Sequence, residues 1–211
     1  MKLRSRFAPG YEVWGRLNLY GPLVALGVGA GGGRLRHTAV GELRLEPGAS
    51  VIDVCTGTGL TLPYLAAAVG RAGRVVGVDR SPAMLAGARD RAMSPPVELM
   101  EGDATALAYE DGTFDGAIST YGLTAVADVE DAVDEMVRVV KPGGRIVVAD
   151  VHFVNWPAPA AINRLVTAGL RPFNTWYTDR DFPALLAERG LRVTSVPTHR
   201  AALSLTVGER S

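Results

Sequence analysis

Four strand-like stretches of this chain end in residues able to hold a polar ligand. In 50–60, S-V-I-D-V-C-T-G-T-G-L, the run Val51, Ile52 and Val54 reads as a buried strand, and Gly57 and Gly59 form a turn feeding a helix over 60–69. Glycines there bring the backbone close to a ligand with no Cβ in the way, and the helix start behind them offers unpaired N–H groups. Asp53 lies inside the strand run, where a carboxylate is costly unless it meets backbone amides or a ligand cation. The alternative is that it braces its own turn. Asp79 closes a second run, Gly102-Asp103-Ala104 a third and Ser119-Thr120-Tyr121 a fourth. Beyond a fifth run stands His152, a candidate base because a neutral imidazole near its reference pKa takes up a proton at neutral pH. A lone His at a strand end also serves as a structural hydrogen-bonding residue. His37 and His199 fall outside this rim.

The elements that must position these residues alternate. A strand over 74–78 leads to Asp79, and Ser81 and Pro82 then open a helix to about 93, as N-cap and first helical residue. Strands over 97–100 and 114–119 follow, the second launched by Asp111-Gly112. An amphipathic helix spans 129–140, with Val129, Ala132, Val133, Met136, Val137 and Val140 on one face. Lys141-Pro142-Gly143-Gly144 stops it and starts a fifth strand over 145–149. Helices over about 159–167 and 180–188 lead to an antiparallel hairpin of strands 192–197 and 202–207. Strands alternating with helices imply a parallel sheet covered on both faces, whose ligands bind beyond the strands' carboxyl ends where strand order reverses. The polar stretches all fall at those ends.

A chain of 211 residues with 47% hydrophobic content is expected to form one compact unit, with 1–46 as a helical N-terminal cap or lid ahead of 47–211. Lys plus Arg and Asp plus Glu balance at 22 each, which points away from nucleic acid. The single Cys55 and the lack of a Cys/His cluster predict no internal disulfide, no metal site and a reducing, cytoplasmic setting. No run reaches the roughly 18 apolar residues of a membrane span, and residues 1–6 are not followed by a signal-peptide core. Gly27, Gly29 and Gly32 fit G-x-G-x-x-G, but no second strand ending in an acid follows at βαβ spacing, so a glycine-rich connection is the better reading.

Together these stretches resemble the class I, Rossmann-like S-adenosylmethionine-dependent methyltransferases, particularly their type 11 and quinone-methylase branches. V-I-D-V-C-T-G-T-G stands for the first motif, V-V-G-V-D-R-S-P-A-M-L for the second strand and its helix, and G-D-A-T-A-L-A-Y-E-D-G-T-F-D for the third. R-V-V-K-P-G-G-R-I-V-V-A-D completes the set, and the matches run over about 47–151. The resemblance implies an α/β fold: a doubly wound seven-stranded sheet, mostly parallel with one antiparallel strand, and helices on both faces. It also implies S-adenosyl-L-methionine as cofactor and S-adenosyl-L-homocysteine as product. Carried onto this sequence, Gly57 and Gly59, with Thr58 between them, would approach the amino-acid end of the cofactor, and Asp53 would help hold its ammonium. Asp79 would accept from both ribose hydroxyls, as an acceptor with two oxygens can, with Arg80 beside it. Met84 would pack on the adenine, Asp103 and the Ala104 backbone would read its amino edge, and Thr120 would close over the methionine portion. Tyr11 resembles the family's N-terminal tyrosine that folds over the cofactor, or is a plain core aromatic. Cys55 stands where the family usually has glycine and reads as a tolerated small residue without chemistry of its own.

Displacement at an already activated sulfonium asks the protein mainly for alignment and exclusion of water, and for a base only if the acceptor must lose a proton. The quinone methylases carry an Arg-Asn pair shortly after the fourth strand; this chain has Thr124-Ala125, a departure from a ubiquinone or menaquinone assignment. Phe153, Trp156, Phe173, Trp176 and Tyr177, with Trp14 and Tyr20, would wall an apolar acceptor pocket or simply cover the sheet. The expected partner is a small apolar or amphipathic molecule, quinone-, lipid- or natural-product-like. Peripheral membrane contact stays open, as does the choice between monomer and homodimer. Arsenite methylation calls for several cysteines. A nicotinamide-dependent oxidoreductase is opposed by C-T-G-T-G-L in place of G-x-G-x-x-G. A cofactor-binding protein of this fold without methyl transfer is the other rival.

Overall fold

The computed structural model describes residues 32–91, 97–151, 180–198 and 203–211. Seven strands form one sheet: β1 (Ser50–Val54), β2 (Arg74–Asp79), β3 (Val97–Glu101), β4 (Phe114–Thr120), β5 (Val140–Val151), β6 (Arg192–Ser195) and β7 (Leu203–Glu209). Their order is β3-β2-β1-β4-β5-β7-β6, and β7 alone runs antiparallel to its neighbours. This is the mostly parallel, seven-stranded class expected, and the closing pair is a hairpin whose second strand inserts between β5 and β6. From β1 the chain steps outward through β2 to β3, then returns to the other side of β1 for β4 and β5. The order therefore reverses between β1 and β4, the place at which sheets of this kind bind ligands beyond the strands' carboxyl ends.

The strands are near-continuous apolar runs because both sheet faces are covered. Alternation along β1 sends Val51 to one face and Ile52 and Val54 to the other. On the first face pack α1 (Gly32–Glu42), α2 (Leu62–Val69) and α3 (Pro82–Ala88), through Leu35, Ala39, Leu62, Leu65, Met84 and Ala88. On the second pack α4 (Val129–Val139) and α5 (Phe182–Ala187), through Val129, Val133, Met136, Phe182 and Leu186. Residues 1–31 of the expected cap, and the expected helix over 159–167, lie outside the described residues.

Three local departures have physical causes. Helix α2 starts at Leu62 rather than 60, because the glycine turn continues until the Leu62 N–H donates to the Gly59 carbonyl. Lys141-Pro142-Gly143-Gly144 does not separate α4 from β5: Val140 already pairs with Phe114, the register then shifts, and Gly143 and Gly144 exchange backbone bonds with Arg210. A Cβ on Gly144 would lie 2.6 Å from the Asp115 carbonyl oxygen, so those glycines serve close strand packing as well as a turn. Between β3 and β4 the described residues form turns and one short bridge, Asp103 to Ala106, in place of an alternating helix. Glu135 and Arg138 of α4 hold that connection, accepting from the Leu107 N–H and donating to the Leu107 and Tyr109 carbonyls.

Candidate cofactor site

Asp53 is 1% exposed near the end of β1, and Thr56 Oγ1 donates to its Oδ2 at 2.6 Å. Its Oδ1, also shut off from solvent, has no hydrogen-bond partner among the described residues. Burial raises its pKa to about 7, against the Thr56 hydrogen bond and the positive charge of Arg36, with Asp79 adding to the rise. A carboxylate in that state favours a ligand that brings a cation. One oxygen thus braces the turn and the other is left over.

The turn itself needs its glycines. Gly57 has φ 56° and Gly59 φ 73°, and a Cβ on Gly59 would lie 2.8 Å from Leu62 Cδ1 and 2.9 Å from Ala88 Cβ. Cys55 adopts φ 60°, a left-handed conformation that disfavours any side chain, at the place where glycine is usual in the resembled family. Its thiol is pushed well above its ordinary pKa by burial and then by the surrounding Asp79, Asp53, Asp150 and Asp103, so it stays protonated and unreactive. Gly122 packs against it; a Cβ there would fall 2.5 Å from Cys55 Cβ. Thr58 is buried, and its carbonyl accepts from Arg91 Nη1 at 3.0 Å.

Asp79, closing β2, accepts the Gly57 N–H on Oδ2 at 2.7 Å and the Ser81 N–H on Oδ1 at 2.9 Å. Two backbone amides thus fix the carboxylate plane. Ser81 caps α3 as expected, accepting from the Met84 N–H at 3.2 Å. Met84 is 1% exposed and belongs to the core cluster with Leu62 and Leu65. Asp103 accepts from Thr105 on Oδ1, and its Oδ2 lies 3.6 Å from Arg80 Nη1, with Ala104 buried beside it. The Thr120 hydroxyl at the end of β4 meets that of Thr61 at 2.7 Å. The strand ends so far described are therefore tied to one another by Gly57 with Asp79, Arg80 with Asp103 and Thr61 with Thr120. Tyr11 and His152 lie outside the described residues.

Two buried charged residues escaped the sequence reading. Asp150, near the end of β5, takes the Thr124 N–H on Oδ2 at 3.0 Å and the Thr124 hydroxyl on Oδ1 at 2.9 Å. It carries the same mark as Asp79, an acid ending an apolar strand. Arg36 of α1 is 7% exposed, with its guanidinium carbon 4.9 Å from the Tyr121 ring centroid. Its signal was weaker: it stands three and four residues before the buried Ala39 and Val40, on the inward face of its helix.

Residues 52–148 match the family described as Methyltransferase domain. A 2-phytyl-1,4-naphtoquinone methyltransferase of Thermosynechococcus vestitus is 39% identical over 143 residues, 67% of this chain and 59% of that protein. A demethylmenaquinone methyltransferase of Desulfitobacterium hafniense is 37% identical over 140 residues, 64% of this chain and 54% of that protein. The matched segment is a methyltransferase domain of the class I type. The chain spans little more than half the length of these two relatives. A Haloferax volcanii protein solved in complex with the Trm112 methyltransferase activator shares the fold at TM-score 0.72 and 20% identity, over 99% of both chains. The matched methyltransferase segment holds Asp53, Gly57, Gly59, Asp79, Asp103 and Thr120, whereas Arg36, Asp150 and His152 lie outside it.

Proposed function

We propose that this chain transfers the methyl group of S-adenosyl-L-methionine to a small apolar or amphipathic acceptor, quinone-like in class. The observation that carries the cofactor assignment is the pairing of two unlike carboxylates across one glycine turn. Asp53 keeps one buried oxygen without a hydrogen-bond partner among the described residues, suited to an ammonium; Asp79 is an acceptor-only carboxylate oriented by two backbone amides, suited to a diol. The donor set thus fits both the amino-acid and the ribose parts of the proposed cofactor.

When bound, S-adenosylmethionine supplies a sulfonium methyl activated for in-line displacement. The chain's own residues align and desolvate. Gly57 and Gly59 give backbone access at the turn, Asp79 orients the ribose, and Asp103 with the Ala104 backbone faces the adenine edge. With no covalent intermediate to form, positioning supplies most of what the protein contributes. His152 is the proposed base wherever the acceptor must lose a proton, Tyr11 the proposed cover of the cofactor, and Met84 the proposed packing partner of the adenine.

The quinone class rests on the activities of the two relatives. Thr124, where quinone methylases carry Arg, has its N–H and hydroxyl engaged by Asp150, so this chain must hold its acceptor with other groups. A cytoplasmic setting accords with the lone Cys55, and no described helix is long and apolar enough to cross a membrane. Incubation with S-adenosylmethionine and a panel of demethylated quinones, lipids and phenols, followed by mass spectrometry, tests the acceptor class. Gain of one methyl on a quinone is the expected result, and methylation confined to another class would move the acceptor there.

A further inference from the structure

We propose that a cavity at the amino ends of the central strands, at the opposite end of the sheet from the cofactor rim, binds a small organic monoanion with an apolar body. The cavity has a volume of about 460 Å³, within the range of small-molecule sites. Its walls come from the connection between α1 and β1, from the start of β4 at Asp115 and from the first residues of β5. Between successive pairings β4 advances only from Phe114 to Gly116 while β5 advances from Val140 to Arg145, so residues 141–144 bulge away from their neighbour. Gly143 lines that bulge, and a Cβ on it would meet nothing within 4 Å. Leu43 and Ala49, both buried, and the half-buried Leu45 give the cavity an apolar wall that belongs to the first-face core.

The charged groups of the lining are unequally engaged. Asp115 accepts from Lys141 Nζ at 2.6 Å and from the Ser50 N–H at 2.8 Å, which commits it to the fold. Arg145 donates to the Glu42 carbonyl and to Glu209, and Glu209 also accepts from Arg192, so one acid serves two guanidiniums. The exposed Arg44 side chain has no hydrogen bond or ion pair among the described residues. Three lining cations, Arg44, Lys141 and Arg145, thus face two lining acids, Asp115 and Glu46, and a single negative charge balances the cavity. Arg44 also adopts the left-handed φ of 51°, its N–H on the Gly41 carbonyl at 3.2 Å, at a helix end where glycine is usual. Arginine brings strain there that glycine would not, and its planar fork suits a carboxylate. A purely structural role would have Arg44 only oppose the dipole at the end of α1, indifferent to any ligand.

Octanoate is the probe, with octan-1-ol as its uncharged counterpart of equal chain length. Calorimetric titration of the full chain should show saturable octanoate binding at millimolar concentration, with octan-1-ol at least about tenfold weaker, the scale of a charged hydrogen bond. Octanoate should slow hydrogen exchange at the backbone amides of 43–49 and 141–145 and leave those of 53–59 unchanged. Arg44→Gly should weaken octanoate by about tenfold and match or exceed the wild-type thermal midpoint, since glycine takes φ 51° without strain. Absence of octanoate binding, equal binding of the alcohol, protection confined to 53–59, or unchanged octanoate affinity in Arg44→Gly would each overturn the inference. Should Arg44→Gly fail to fold, the wild-type titrations and exchange pattern decide. The site needs no bound cofactor, so its failure would leave the cofactor assignment standing.

Discussion

Gly57 donates its N–H to Asp79 Oδ2 at 2.7 Å, so the turn after β1 and the carboxylate that ends β2 form one rigid piece. Thr56 extends the same tie, donating its N–H to the Val78 carbonyl at 2.9 Å and its hydroxyl to Asp53. The ribose and amino-acid ends of the proposed cofactor would thus meet a single preorganised unit.

Asp79→Ala removes the proposed diol acceptor and leaves the Gly57 and Ser81 amides without their partner. Cofactor affinity should fall by roughly 1.5 to 3 kcal/mol, the range for hydrogen bonds to a charged group. Isothermal titration with S-adenosylhomocysteine measures this, and an unchanged affinity would place the ribose elsewhere.

Asp53 is expected to make cofactor binding pH-dependent. Its pKa of about 7 lies above the unfolded value of 3.8, so the native state holds an extra proton between those values. Stability from this group is therefore greatest at low pH and declines as pH rises from about 4 to about 7. A bound ammonium favours the ionised form, so cofactor binding near neutrality should release a proton, and affinity should climb as pH rises toward about 7. Titrations in buffers of different ionisation enthalpy report the proton count. Asp53→Asn should abolish the release, and an undiminished release would assign the proton to another group.

Gly59→Ala forces a side chain into φ 73° and against Ala88 of α3. Strain and overpacking together should cost roughly 1 to 3 kcal/mol, read as a lower thermal midpoint. Wild-type stability in this variant would mean that α3 yields freely.

Thr124→Ala leaves Asp150 Oδ1, inside a buried carboxylate, without the hydroxyl it accepts from. A loss of about 1 to 3 kcal/mol is expected in chemical denaturation, largely restored by Thr124→Ser. Equal losses in both variants would trace the effect to the threonine methyl rather than the hydrogen bond.

The sheet was legible because its central strands announce themselves. Apolar β-branched runs ending in Asp53, Asp79 or Thr120 show where buried strands stop, and Ser81-Pro82 marks a helix start by local hydrogen bonding alone. Lys141-Pro142-Gly143-Gly144 misled, since glycines that permit a turn also permit the tight strand crossing seen at Gly144. Arg36 was hidden for a different reason. Arginine is usually exposed, and only the packing of α1 against β5, α2 and β4 makes this one buried. Pairings that join distant segments, such as Arg80 with Asp103 or Thr124 with Asp150, leave no trace in local periodicity.

The Asp53–Asp79 turn is the proposed seat of S-adenosylmethionine. Calorimetric titration of the full chain with S-adenosylhomocysteine, alongside NADH, tests it most directly. Saturable one-to-one binding of S-adenosylhomocysteine, weakened in Asp79→Ala and absent for NADH, is the predicted result. Binding of NADH alone, or of neither ligand, would contradict it.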